Sequence, residues 1–183
     1  MSEAAVLLRA INVGAHNRVS MSDLKALCEA IGYPEVDTYL QSGNLRISSP
    51  HSPKHIADTV EAALVGHGLR GASAIGLSWS RLEEIAAWSQ WEDYLHEDTR
   101  GLAVFIQRPS LRSKELLGEH GGLNIVHSDS DVLLAVLKKG ETHKVDFKRI
   151  VERPLGTRVT VRFWNVIQDW VAKYHSESQS CNG

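Results

Sequence analysis

Two short stretches hold the residue types from which a site could be built. They are RAINVG, Arg9 to Gly14, and QSGN, Gln41 to Asn44, and each stands where an apolar run ends. Glycine lets backbone N–H groups approach a ligand closely, serine and asparagine can orient it, and arginine supplies charge. Such a set suits a carboxylate or a phosphate, the more so beside the N-terminus of a helix opening near Ser20. The candidate ligand-binding residues are Arg9, Asn12, Gly14, Ser42, Gly43 and Asn44, with Arg162 from the other half of the chain. The competing interpretation is that the glycines serve turn geometry and that Arg9 forms a salt bridge across a sheet face or domain seam. Neither stretch supplies a general base, so they point to binding and leave the catalytic residues unassigned.

Other chemistries are less well provided. His51 and His55 stand four residues apart, but Pro53 lies between them and no Cys or acidic residue nearby has zinc-site spacing, so no metal is expected. Ser42 could be approached by His16, yet it lacks the glycine-x-serine-x-glycine elbow of a nucleophile. Cys28 lies on the apolar stripe of a helix and reads as core. Arg108, Arg112 and Lys114 surround a helix start and form a reserve anion site, with solvated surface charge the commoner meaning. Stretches 44–49 and 131–138 carry no aromatics, which argues against RNA binding on a sheet face. Trp79, Trp88, Trp91 and Tyr94 read as packing near the middle of the chain.

The elements that must position these residues follow a regular order. Residues 4–11 form an apolar strand, and Ser20 with Asp23 caps a helix bearing Leu24, Leu27, Cys28 and Ile31, stopped by Gly32. Residues 35–41 and 44–49 read as a hairpin around a tight Ser42-Gly43 corner. Ser52-Pro53 opens the next helix, and 72–79 is a strand. Ser80 and Glu83 make a capping box for a connecting helix. The order then repeats: strand 101–107, helix from Ser110 to Gly118, hairpin 123–128 and 131–138, helix capped by Asp146, strand 157–162. A last amphipathic helix carries Phe163, Val166, Ile167, Trp170, Val171 and Tyr174.

Two successive βαββαβ units predict two ferredoxin-like plaits, an α+β architecture. The right-handed crossover rule makes the first two strands of a plait parallel, with the third antiparallel between them. That brings Asn12-Val13-Gly14 and Gln41-Ser42-Gly43-Asn44 to one edge of the sheet, so the two polar corners are expected to meet.

Bulk composition sets the frame. A chain of 183 residues with 43% hydrophobic and 23% charged residues is ordinary for a globular protein with a real core. Its formal net charge of −2 argues against general nucleic-acid or anionic-membrane binding. The two cysteines make no disulfide framework, no signal peptide is evident, and no apolar stretch approaches the about 18 residues of a membrane span. A cytoplasmic protein, monomeric or a weak homodimer, with no cofactor, is expected.

The motif residues also carry a resemblance. LLRAINVGAHNRVSMSDLKAL followed by VDTYLQSGNLRIS resembles the domain-of-unknown-function 1697 family of bacterial proteins. Arg9, Asn12, Val13, Gly14, Met21, Thr38, Tyr39, Ser42, Gly43 and Asn44 match its N-terminal pattern, and Thr160, Arg162 and Trp164 match its C-terminal one. Ala10 and Ala15 stand where the family has glycine, and Phe163 where it has asparagine, which weakens a polar site at the second block. The resemblance covers nearly the whole chain. It implies tandem ferredoxin-like plaits and brings no agreed activity.

The expected organisation is a first plait over 1–79, a connecting helix and linker over 80–100, a second plait with its C-terminal helix over 101–175, and a disordered tail over 176–183. The expected function is binding of a small anionic metabolite at the polar corners of the first plait, with catalysis open. The alternative is a non-catalytic interaction or self-association module in which these residues are structural.

Overall fold

The computed structural model describes residues 1–13 and 17–180. Contacts divide the chain into two compact units, Met1–Leu82 and Glu83–Gly183. The architecture is α+β, with two antiparallel sheets and several helices.

The first unit holds β1 (Ser2–Arg9), α1 (Met21–Ala30), β2 (Val36–Tyr39), β3 (Asn44–Ser49), α2 (Pro53–Gly66) and β4 (Ser73–Ser78). Its sheet order is β2-β3-β1-β4, so β3 lies between β1 and β2 and runs antiparallel to both. Ala4, Val6 and Leu8 of β1 pack with Leu45 and Ile47 of β3 against Leu24, Leu27 and Cys28 of α1 and Ile56, Val60 and Leu64 of α2. The alternation in β1 and β3 therefore turns one face to the helices and the other away.

Both helices begin as their sequences require. Ser20 is extended and accepts the Asp23 N–H, and Ser52 does the same for His55 with Pro53 next in line. Gly32, at φ 95°, follows the end of α1. The third helix starts differently: α3 (Trp79–Ala86) begins directly after β4, and Ser78 rather than Ser80 accepts the Arg81 N–H.

The strands flanking the polar corners are shorter than the apolar runs suggest. β1 stops at Arg9 and β2 at Tyr39, because Ala10 (φ 60°) and Leu40 (φ 58°) take left-handed conformations that no strand accommodates. The hairpin corner is therefore a wider turn than a Ser42-Gly43 pair.

The second unit contains β5 (Thr99–Ile106), β6 (Gly118–His120), β7 (Leu123–Ser128), β8 (Val132–Lys138), α4 (Arg153–Leu155), β9 (Val159–Phe163) and α5 (Trp164–Ser180). Its sheet runs β6-β7-β8-β5-β9, with a core of Leu102, Val104, Ile106, Leu123, Ile125, Leu133, Ala135 and Val151. Three features depart from the expected repeat. The helix expected from Ser110 is a 3-10 segment, Leu111–Leu116, which ends as Leu117 turns extended and Gly118 takes φ 109°. β6 is an added edge strand whose GEH residues carry no alternation to betray it.

The third departure follows Asp146. Its carboxylate accepts the Arg149 N–H as a cap should, but the turn over Lys148–Glu152 is π-helical before α4. Pro154 has no N–H with which to close an α-turn onto Ile150, so the ladder opens there.

At the C-terminus α5 continues past its buried stripe to Ser180. Once Trp164, Ile167, Trp170, Val171 and Tyr174 are buried, adding further turns needs no new nucleation. Residues 181–183, Cys181 among them, lie outside the described residues.

Candidate functional site

The two polar corners of the first unit meet. The Leu8 N–H donates to Gly43 O at 2.7 Å, and Asn12 Nδ2 donates to Gln41 O at 3.0 Å. Gly43 sits at φ 75°, and a Cβ there would come within 2.5 Å of Ile11 Cδ1 and 2.7 Å of Leu8 Cβ. Glycine at 43 thus serves both a left-handed turn and a close packing of the corner on the end of β1.

Several of the sequence candidates turn inward. Asn12, itself left-handed at φ 53°, donates from Nδ2 to Val19 O and to Gln41 O, and its Oδ1 accepts the Val19 N–H. Those three bonds pin residues 12, 19 and 41 together. Asn44 is fully buried, and its Nδ2 donates to Tyr39 O and to Ser42 Oγ. It locks the hairpin corner from within. Gly14, and His16 with the notion of a Ser42–His16 pair, lie outside the described residues.

Strand register answers whether Arg9 and Arg46 share a face. Leu7 stands opposite Asn44 and Ala5 opposite Arg46, so Arg9, two residues beyond Leu7, lies on the face of Asn44 and Arg46, away from α1 and α2. Arg46 pairs with Glu3, and its guanidinium sits 4.8 Å above the ring of Trp79. Arg162 belongs to the second unit. It lies opposite Ala103 in β5, is buried, and donates to Thr160 Oγ1 and Val161 O at 3.0 Å each. Burial lowers its pKa to about 10, which still leaves it charged at neutral pH.

The concavity beside the corners is lined by a different set. A cavity of about 620 Å³ is bounded by Asn12, Arg18, Val19, Ser20, Met21, Ser22 and Gln41. Arg18 is exposed there, two residues ahead of the helix cap. Ser20 Oγ accepts the Asp23 N–H at 3.0 Å, donates to Asp23 Oδ2 at 2.7 Å, and lies 2.8 Å from Ser22 Oγ. The Leu24 N–H closes onto Ser20 O. Met21 and Ser22 therefore carry N–H groups with no acceptor inside the helix, at its positive end. The wall combines a cation, hydroxyls, an amide and a helix start.

Arg18, Ser22 and Gln41 are absent from the sequence candidates. A signal existed: Arg18 is the one cation between the end of β1 and the cap of α1. The asparagines give the stronger but ambiguous signal, because their side chains are equally able to hold a ligand or the backbone and their spacing is the same in both cases.

Arg112, of the reserve anion site, pairs on the surface with Glu115 at 3.4 Å. His51 and His55 have ring centroids 4.6 Å apart, and among the described residues no group of three or more His, Cys, Asp or Glu side chains could hold a metal ion. Cys28 is fully buried and burial raises its thiol pKa to about 11. Trp91 packs on Trp164 with centroids 4.8 Å apart, both against Gly101, where a Cβ would meet them at 3.0 Å. Among the described residues no helix is long and apolar enough to cross a membrane.

Comparison with known proteins agrees on the fold. The family model described as "Protein of unknown function (DUF1697)" matches residues 1–120. No curated protein matches the chain. The solved structure of the conserved bacterial protein SP0830 from Streptococcus pneumoniae is similar, with 20% identity and a TM-score of 0.65 over 93% of this chain and 98% of that one. An unknown protein from Galdieria sulphuraria aligns with 88% of this chain and 97% of its own at 16% identity and a TM-score of 0.26.

Proposed function

We propose that this chain, which belongs to the DUF1697 family of proteins of unknown function, binds a small anionic metabolite, a phosphate or a carboxylate, in the cavity where the two corners of its first unit meet. The carrying observation is the cavity of about 620 Å³ lined by exposed Arg18, by Gln41 and by Met21 and Ser22 of the opening turn of α1. A guanidinium suits both anions, and the free N–H groups of a helix start add to it. Gly43 and Asn44 shape this site from behind, and Asn12 lines it while its amide is spent on Val19 and Gln41. On this proposal the chain forms two α/β plaits, the first of which carries the site, and acts in the cytoplasm.

A specific observation favours the second reading, a non-catalytic interaction module. Asn12 and Asn44 direct their amides to backbone carbonyls and to Ser42, as residues that only lock a corner would do.

Thermal-shift screening against nucleotides, sugar phosphates and carboxylic acids separates the two, since a bound ligand stabilises the folded form by mass action. At 100 times Kd the gain is about 2.7 kcal/mol, enough for a shift of roughly 5–10 °C in a protein of this size. Arg18→Ala is expected to abolish that shift while leaving Tm without ligand unchanged. A screen flat across all three classes would sink the binding reading.

A further inference from the structure

Two large apolar residues next in sequence to lining residues of the cavity are exposed. Val13 is 70% exposed and Leu40 is 50% exposed. Each is the direct neighbour of a cavity residue, Val13 of Asn12 and Leu40 of Gln41, and those two neighbours are hydrogen-bonded at 3.0 Å. The pair therefore sits on two segments that the corner ties together.

Leu40 is the more telling. At φ 58° it occupies the left-handed region, which is unfavourable for a branched side chain and free of penalty for glycine. An exposed leucine gains little burial to offset that cost. Backbone geometry asks for glycine or asparagine at this position, and solvent asks for a polar residue, yet a large apolar group stands there. Isolated exposed leucines need no explanation; a strained one, on a segment hydrogen-bonded to the segment of a second exposed apolar residue, does.

We infer that the anion accepted by the cavity is carried on an apolar or aromatic group, and that Leu40 and Val13 are the contact for that group. This rests on the anion-binding reading and narrows it. Arg18 holds the charge, and the rim selects organic phosphates or carboxylates over the bare ions. Burying about half of a phenyl ring on such a rim strengthens binding about tenfold.

The test compares inorganic phosphate with phenyl phosphate, and acetate with benzoate, by calorimetric titration of the full chain. Wild type is expected to prefer the phenyl compound of the productive pair about tenfold. Leu40→Gly should bring that ratio near one while binding of the bare anion stays the same. Its Tm should equal or exceed wild type, because the strained backbone is relieved, and a merely structural leucine would not combine that gain with the lost preference. Val13→Ser is the second variant, expected to reduce the ratio in a corner whose backbone is unchanged. Equal affinity for bare and phenyl anions in wild type, or a Leu40→Gly protein that keeps the preference, would overturn the inference and leave the anion site standing. Binding of none of the four compounds would instead remove the anion site itself.

Discussion

Asn12 Nδ2 donates to Gln41 O across 3.0 Å, and through that bond residues 29 positions apart in the chain share the wall of one cavity. The same amide holds Val19 by two further bonds. Asn12→Asp keeps the acceptor for the Val19 N–H but sets a carboxylate against two carbonyl oxygens. The expected loss is about 2–3 kcal/mol in urea unfolding at neutral pH, partly recovered on acidification as the aspartate takes a proton. A variant as stable as wild type would show that the corner does not depend on this residue.

Ala10 carries a second cost in the same loop. It is left-handed at φ 60°, a region that glycine enters without penalty. Ala10→Gly should stabilise the protein by about 0.5–1 kcal/mol, raising Tm by roughly 1–4 °C in calorimetry. A lower Tm would mean that the extra freedom of the unfolded glycine outweighs the relief.

Gly43 and Gly76 should respond in graded fashion to an added methyl group. At Gly43 the new Cβ meets Ile11 Cδ1 at 2.5 Å and Leu8 Cβ at 2.7 Å, on a backbone of φ 75°. A loss of about 2–4 kcal/mol is expected, since the Ile11 end can move. At Gly76 the Cβ would stand 2.0 Å from Pro53 O, a backbone atom at the start of α2 that cannot step aside cheaply. Gly76→Ala should cost more than about 4 kcal/mol and yield little soluble protein. Equal Tm values for the two variants would contradict this ranking.

Cys28 gives a pH dependence. Its thiol is fully buried and its pKa is raised from 9.0 to about 11 by burial, with the Glu29 charge adding to it. The folded protein thus keeps the proton while the unfolded chain releases it. The sign is loss of stability with rising pH, beginning near pH 9 and ending near pH 11, at about 1.4 kcal/mol per pH unit. Denaturant unfolding of Cys181→Ser at pH 8 and pH 10.5, beside the same variant carrying Cys28→Ala, isolates this contribution. The difference between the two proteins should change by roughly 2 kcal/mol over that interval. In the same background Cys28 should resist thiol reagents until the protein unfolds.

Much of the first unit is legible in its sequence. Ser20, Asp23 and Gly32 mark α1 because capping and stop signals act within a few residues. The meeting of the two corners followed from strand order, which chirality of crossover connections nearly dictates. The second unit was less legible. Its helical segments became 3-10 and π turns where Pro154 and Gly118 break the ladder, and β6 has no alternation to announce it.

The sequence by itself determined which residues stand at the converging edge of the first sheet, since apolar periodicity and local caps are short-range signals. Only the tertiary structure decided which of them face the cavity. Asn44 turns wholly inward, Asn12 lines the cavity with its amide already spent on backbone carbonyls, Arg18, Ser22 and Gln41 line the same open space, and Leu40 is left half exposed at φ 58°. The physical reason is that an amide at a left-handed or buried position can satisfy itself on carbonyls brought from distant parts of the chain. Which carbonyls arrive there is set by packing and register, not by any spacing along the sequence.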